Sequence, residues 1–213
     1  MGRALEAGIY CFNVESEGEL DLLNQVAGEL QRRAPVALRV NPDVDPGTHP
    51  YIATGLKESK FGIDIAQAEA IYQRAQQLPH LQLRGVACHI GSQLTDMAPI
   101  VEALERVSHL IGKLARHGIA LDHIDLGGGL GIRYNEEQPP APDDYVRALL
   151  RRLQATGPGS QRLRVLIEPG RAVVGNAGLL LTRVLYLKLG EVKNFAVVDA
   201  AMNDLIRPAL YEA

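Results

Sequence analysis

Apolar positions along this chain alternate between a strand-like period and a helical one, and the switching is regular. "IYCFNV" (9–14) is a short apolar run that stops at Glu15-Ser16. Behind it, Leu20, Leu23, Ala27 and Leu30 recur at helical spacing, and Ser16 followed by Glu19 has the form of a capping box. "PVALRVN" (35–41) is the next strand, stopped by Pro42, and a polar loop carrying Gly and Pro runs on to about Phe61. Asp64 is placed to cap a helix whose apolar positions are Ile65, Ala68, Ile71, Tyr72 and Ala75. "LRGVACHIG" (83–91), "LDHIDLG" (121–127) and "LRVLIEPG" (163–170) read as three further strands, with helices over 97–117 and near 143–154 between them.

Strands separated in this way by helices imply βαβ units and a parallel sheet. A doubly wound open sheet and a (β/α)₈ barrel both satisfy that pattern, and the polar residues choose between them. Asn13, Asn41, His89, Asp125 and Glu168 all fall at the C-terminal ends of their strands. An active face assembled from many successive strand ends is the barrel arrangement, whereas an open sheet gathers its ligand at one switch point. After Gly175 the pattern changes to "LLLTRVLYLKLG" (179–190) and "NFAVVDA" (194–200), β-rich runs with no helix between them. The expected fold is therefore α/β. Residues 1–176 form part of a TIM barrel whose first strands are missing, and 177–213 begin a truncated antiparallel β domain, the chain being an internal piece of a larger protein.

The bulk numbers remove several function classes. With 213 residues, 46% of them hydrophobic, the chain can bury a full core. A formal charge of −3, with both signs interspersed, suggests neither a nucleic-acid partner nor a membrane-surface patch. Cys11 and Cys88 lie in apolar runs and read as buried free thiols of a reducing compartment. The chain has no 18-residue apolar stretch and its first residues carry no signal-peptide core, so a cytoplasmic location is expected.

"HIDLGGGLGI" (123–132) runs an alternating strand into three consecutive glycines, a sign that something approaches the main chain closely there. Neither common nucleotide template fits: Ile132 stands where a dinucleotide fingerprint needs its last glycine, and no P-loop lysine follows. His89 in "CHIGSQ" reads either as a core histidine bonded to a carbonyl or as a residue facing the barrel mouth. Glu168 in "LIEPGR" needs a cationic or hydrogen-bonded partner if buried, and Arg171 could supply it in a purely structural pair. Asp125 reads as a turn carboxylate. No His, Cys, Asp or Glu cluster has metal-ligand spacing.

Taken together, "CFNVESEGEL", "LRVNPDVDPGTHPYIATGLKESKFGI", "GVACHIGSQ", "DLGGGLGI", "IEPGRAVV" and "VVDAAMNDLIRPALY" resemble the pyridoxal-phosphate decarboxylases of the alanine-racemase barrel type, known as fold-type III. Within that family, "GTHPYIATGLKESKFGI" with "HIGSQ" favours the branch that converts meso-2,6-diaminopimelate to L-lysine and CO₂. The ornithine, arginine and carboxynorspermidine branches remain alternatives, as does a non-catalytic homologue that regulates a decarboxylase. The resemblance implies pyridoxal 5′-phosphate as cofactor. Gly127, Gly128 and Gly129 would offer N–H groups to its phosphate and Ser92 a hydroxyl; His89 would stack on the ring; and Glu168, within Glu168-Pro169-Gly170-Arg171, would bond the ring nitrogen. Arg171 would take a substrate carboxylate or support the phosphate, and Arg207 and Tyr211 would hold the distal end of an amino-acid substrate. It further implies a homodimer for the intact protein. The family's Schiff-base lysine motif, of Y-A-x-K-A-N type, and its catalytic cysteine segment do not occur here, so the chain alone is expected to carry no catalytic residue and to be inactive.

Overall fold

A computed structural model describes residues 1–46, 60–156 and 162–211, with Tyr211 described by its backbone alone. The chain divides into two compact units, Met1–Val173 and Val174–Ala213. In the first unit, strands β1 (Phe12–Val14), β2 (Ala34–Asn41), β4 (Leu81–Ala87), β5 (His123–Asp125) and β6 (Arg164–Leu166) lie side by side in that order. Each neighbouring pair is parallel. A two-residue strand, β3 (Ile63–Asp64), pairs with the end of β2. The parallel α/β architecture read from the sequence is therefore present. It has one strand more than the apolar runs suggested, because β3 is too short to announce itself. Most of the polar loop ahead of it, including residues 47–59 of "GTHPYIATGLKESKFGI", falls outside the described residues.

Helices α1 (Gly2–Glu6), α2 (Glu17–Glu29), α3 (Ile65–Gln76), α4 (Ala98–Arg116) and α5 (Pro142–Ala155) connect and cover the strands, and α6 (Gly170–Val174) follows β6. Local chemistry sets their ends. Ser16 accepts from the Glu19 N–H at 3.2 Å. The Glu19 carboxylate reaches back to the Glu15 N–H at 2.6 Å, one residue ahead of the cap, so the box closes around the strand end itself. Asp64 caps α3 through the Ala66 N–H at 2.9 Å. The long α4 buries Ile100, Leu104, Val107, Ile111 and Leu114, the stripe expected from the periodicity. These residues join one continuous core with Leu20, Leu23, Leu38, Val86 and Ile124.

The β2–β4 register slips between Val36 and Ala37, which face Leu83 and Gly85 and leave Arg84 as the extra residue. The buried Tyr72 hydroxyl sits at that bulge. It accepts from the Leu38 N–H at 3.3 Å and donates to the Gly85 carbonyl at 2.6 Å. Tyr72 thus satisfies two backbone groups that the irregular ladder leaves behind, while its ring fills the space between α3 and the sheet.

In the second unit, β7 (Val184–Lys188) and β8 (Phe195–Val198) pair antiparallel, and the short α7 (Arg207–Tyr211) follows. Asp199 closes the pair by accepting from the Thr182 hydroxyl at 2.8 Å and the Arg183 N–H at 2.9 Å. Among the described residues, no helix is long and apolar enough to cross a membrane.

Candidate active site

Strand register brings the chemistry-bearing residues to one level. Ala87, Asp125 and Leu166 are direct neighbours across β4, β5 and β6. Alternate residues share a face, so His89, Gly127 and Glu168 form the next row beyond the strand ends. Backbone bonds continue the ladder there, from Cys88 N–H to the Asp125 carbonyl at 2.9 Å and from Glu168 N–H to the Gly127 carbonyl at 2.8 Å.

The glycine turn is bare because neighbouring backbone crowds it. A Cβ on Gly127, Gly128, Gly129 or Gly131 would come under 3.0 Å from the carbonyl oxygen of Cys88, Glu168, Gly91 or Leu94 respectively. Gly127 and Gly129 also have φ of +67° and +116°. All three N–H groups are expected to face a phosphate, and two of them have acceptors within the protein in this structure. The Gly127 N–H is taken by the Asp125 carboxylate at 2.9 Å, and the Gly128 N–H by His89 Nδ1 at 3.1 Å. Asp125 is the turn carboxylate that the sequence suggested, held on its other oxygen by Asn13 Nδ2 at 3.3 Å.

Two polar cavities flank this turn. One, of about 200 Å³, is lined by His89, Ser92, Gln93, Gly128, Gly129, Leu130, Glu168, Gly170 and Arg171. The other, of about 230 Å³, lies towards Asn13, Glu15, Arg39, Cys88 and Asp125, and it too is bordered by His89 and Glu168. Of the cofactor-binding candidates singled out from the sequence, Gly127 and Pro169 do not line either. They face an apolar cavity of about 160 Å³ on the other side of the turn, with Leu130, Tyr145, Ile167 and Val173.

Electrostatics separate the two shared residues. Burial, followed by the nearby Arg39 guanidinium, lowers the His89 pKa from its ordinary 6.5. Since Nδ1 accepts the Gly128 N–H, the neutral imidazole carries its proton on Nε2. Burial, then the Asp125 charge and a hydrogen bond to it, raises the Glu168 pKa above 4.5, with Arg39 opposing. The cavity towards Asn13 and Arg39 therefore presents two neighbouring carboxylates, Asp125 and Glu168, an arrangement suited to a cationic N–H group.

Glu168 and Arg171 do not form the structural pair considered above. Arg171 Nη1 donates to Gln93 Oε1 at 3.0 Å, and its guanidinium lies 5.8 Å from the Tyr134 ring centroid. The cation near Glu168 is Arg39, which is bound to Glu15 at 2.7 Å; the second Glu15 oxygen accepts the Gly62 N–H at 3.0 Å. Arg39, Glu15 and Gln93 were missed. A charged residue inside the otherwise apolar "PVALRVN" was the available signal for Arg39. Arg207 opens α7 in the second unit, and the Tyr211 side chain is outside the described residues.

Comparison with known proteins follows the same outline. The family of pyridoxal-dependent decarboxylases matches, by its pyridoxal binding domain, over residues 1–175. The diaminopimelate decarboxylase of Pseudomonas aeruginosa is 61% identical over 100% of this chain and 50% of its own length. That of Vibrio cholerae is 55% identical over 100% and 50%. The crystal structure of diaminopimelate decarboxylase from Helicobacter pylori complexed with L-lysine superposes with a TM-score of 0.92 at 41% identity, covering 100% of this chain and 52% of that one. The chain spans about half the length of the curated relatives it matches. It belongs to the pyridoxal-dependent decarboxylases, whose pyridoxal binding domain accounts for its first 175 residues.

Proposed function

We propose that this chain supplies the pyridoxal-phosphate cradle of a decarboxylase that converts meso-2,6-diaminopimelate to L-lysine and CO₂. The observation that carries the reading is that His89 and Glu168 each border both polar cavities, in a chain 61% identical to a diaminopimelate decarboxylase. The donor set fits the cofactor at both ends. Ser92, Arg171 and the Gly129 N–H, which has no protein acceptor among the described residues, suit a phosphate. The carboxylate pair suits a protonated ring nitrogen.

When bound, pyridoxal phosphate supplies an electron sink for the pair left as the Cα–carboxylate bond breaks. The residues of this chain set up that chemistry. Glu168, ionised once a cation sits against it, keeps a proton on the ring nitrogen. Asp125 holds the turn and Glu168 in register. His89, fixed by Gly128, offers an uncharged ring face. Arg171 binds an oxyanion. Arg207 and Tyr211 belong to the same reading as the holders of the distal amino-acid group, and a guanidinium there favours a substrate that ends in a carboxylate over ornithine or arginine. Weak, non-covalent cofactor binding by this chain alone, a homodimer for the intact protein and a cytoplasmic location complete the proposal.

The test is to purify the protein as it occurs in the cell. Pyridoxal phosphate binding is then measured, together with CO₂ release from meso-diaminopimelate, ornithine and arginine. Release from diaminopimelate alone is expected, with Glu168→Gln abolishing it. Equal release from ornithine, or failure to bind the cofactor, would overturn the reading.

A further inference from the structure

Gln93 occupies an unusual place beside the polar cavity. Its backbone has φ of +59°, one of three non-glycine residues with positive φ among those described, a conformation that costs about 1 kcal/mol or more unless its surroundings impose it. The side chain makes three bonds that together use both ends of the amide. Nε2 donates to the Ile132 carbonyl at 2.6 Å, while Oε1 accepts the Ile132 N–H at 3.2 Å and Arg171 Nη1 at 3.0 Å. Gln93 is thus clamped to the far end of the glycine stretch by a reciprocal pair, and its remaining acceptor capacity is turned on Arg171. The bridge from Leu94 to Leu130, with Leu94 N–H bonded to the Gly129 carbonyl at 2.8 Å, fixes the adjoining backbone.

Arg171 needs such a hold. It sits in the five-residue α6, and a long guanidinium side chain loses considerable rotamer freedom when it is fixed at one point. The Tyr134 face on one side and Gln93 Oε1 on another restrict it while leaving it on the cavity wall. A neutral acceptor is the suitable partner, since a carboxylate at the same place would compete with an incoming anion for the guanidinium.

We propose that Gln93 is a positioning residue: anchored to the Ile132 peptide, it holds the Arg171 guanidinium at the polar cavity, ready for the oxyanion of cofactor or substrate. This rests on the cofactor reading above, and it goes further by making the oxyanion affinity of Arg171 depend on a residue that need not touch the ligand.

The experiment is a double-mutant cycle with Gln93→Met, Arg171→Met and the double variant. The probes are pyridoxal 5′-phosphate, pyridoxal without phosphate, inorganic phosphate and L-lysine. Gln93→Met is expected to weaken the responding oxyanion about tenfold, and the double variant to bind no worse than Arg171→Met alone. Loss confined to the phosphate-bearing probes identifies the phosphate as the oxyanion, and loss confined to L-lysine identifies a carboxylate. Gln93→Glu keeps an acceptor for Arg171 and is expected to keep the guanidinium in place, while its carboxylate competes with the oxyanion and weakens its binding. A ligand-free arm follows the Arg171 Nε–H signal by NMR, which broadens or averages in Gln93→Met and stays sharp in Gln93→Glu. Additive effects, or a Gln93→Met variant with a lower Tm, unchanged affinity and an unchanged Arg171 signal, would overturn the proposal. A wild-type chain that binds no probe contradicts the cofactor reading instead, and the NMR arm then decides for or against the Gln93 hold.

Discussion

The Gly128 amide donates to His89 Nδ1 at 3.1 Å, and this bond joins the glycine turn to the imidazole that borders both cavities. It fixes the ring's tautomer and its plane together, because only a neutral imidazole with its proton on Nε2 can accept there. With burial and Arg39 also disfavouring the charged form, His89 should titrate below its ordinary value of 6.5. The sign for stability follows. Between the lowered folded value and 6.5 the unfolded chain binds more protons, so this contribution is full above 6.5 and is lost as the pH falls through that window. Heteronuclear NMR of the imidazole checks both points, and a neutral ring protonated on Nδ1 would contradict the assignment.

Gly128→Ala should be costly irrespective of any ligand. Its Cβ would run into the Glu168 carbonyl oxygen, which is backbone and cannot swing aside. Destabilisation of about 3 kcal/mol is expected, at the upper end of ordinary overpacking. Denaturant unfolding without cofactor measures it; a variant as stable as the wild type would show that the bare backbone serves the ligand and not the fold.

Tyr72→Phe probes the bulge between β2 and β4. The ring stays, but the Leu38 N–H and Gly85 carbonyl lose their shared partner in a buried place. A loss of about 1–3 kcal/mol is expected, with the hydrogen-exchange protection of Leu38 falling. An unchanged midpoint in chemical unfolding argues against that role.

Glu168 should make the cofactor-free protein sensitive to base. Its folded pKa is raised above 4.5 by burial and by Asp125, so the native state holds more protons in that window. Stability falls as pH rises from 4.5 through the raised value, and the loss is complete above it. Glu168→Gln removes this dependence, and Asp125→Asn reduces it. Thermal unfolding across pH 4 to 8 reads the difference, and parallel profiles for wild type and Glu168→Gln would refute it.

Legibility followed the scale of the signal. The helical stripes of α2, α3 and α4, and the caps at Ser16 and Asp64, were readable because burial and capping leave residue types at fixed spacings. The two-residue β3 was not, since two residues carry no period. His89, Ser92, Glu168 and Arg171 could be singled out because they follow strand ends, where a barrel collects its polar groups. Their partnerships could not. The Arg171–Gln93 bond spans 78 positions and Asn13–Asp125 spans 112, and no local pattern encodes a contact made by register. The same limit applies to the glycines. Their run was visible, but the reason for it, carbonyls of the segments that follow β4 and β6, was not.

The central claim is that Glu168 keeps the ring nitrogen of pyridoxal phosphate protonated. It is tested most directly by ¹⁵N NMR of the protein loaded with cofactor labelled at that nitrogen. The resonance is expected at its protonated position through neutral and mildly basic pH, and at its unprotonated position in Glu168→Gln. A signal at the unprotonated position in the wild type, or one that the substitution leaves unmoved, would contradict it.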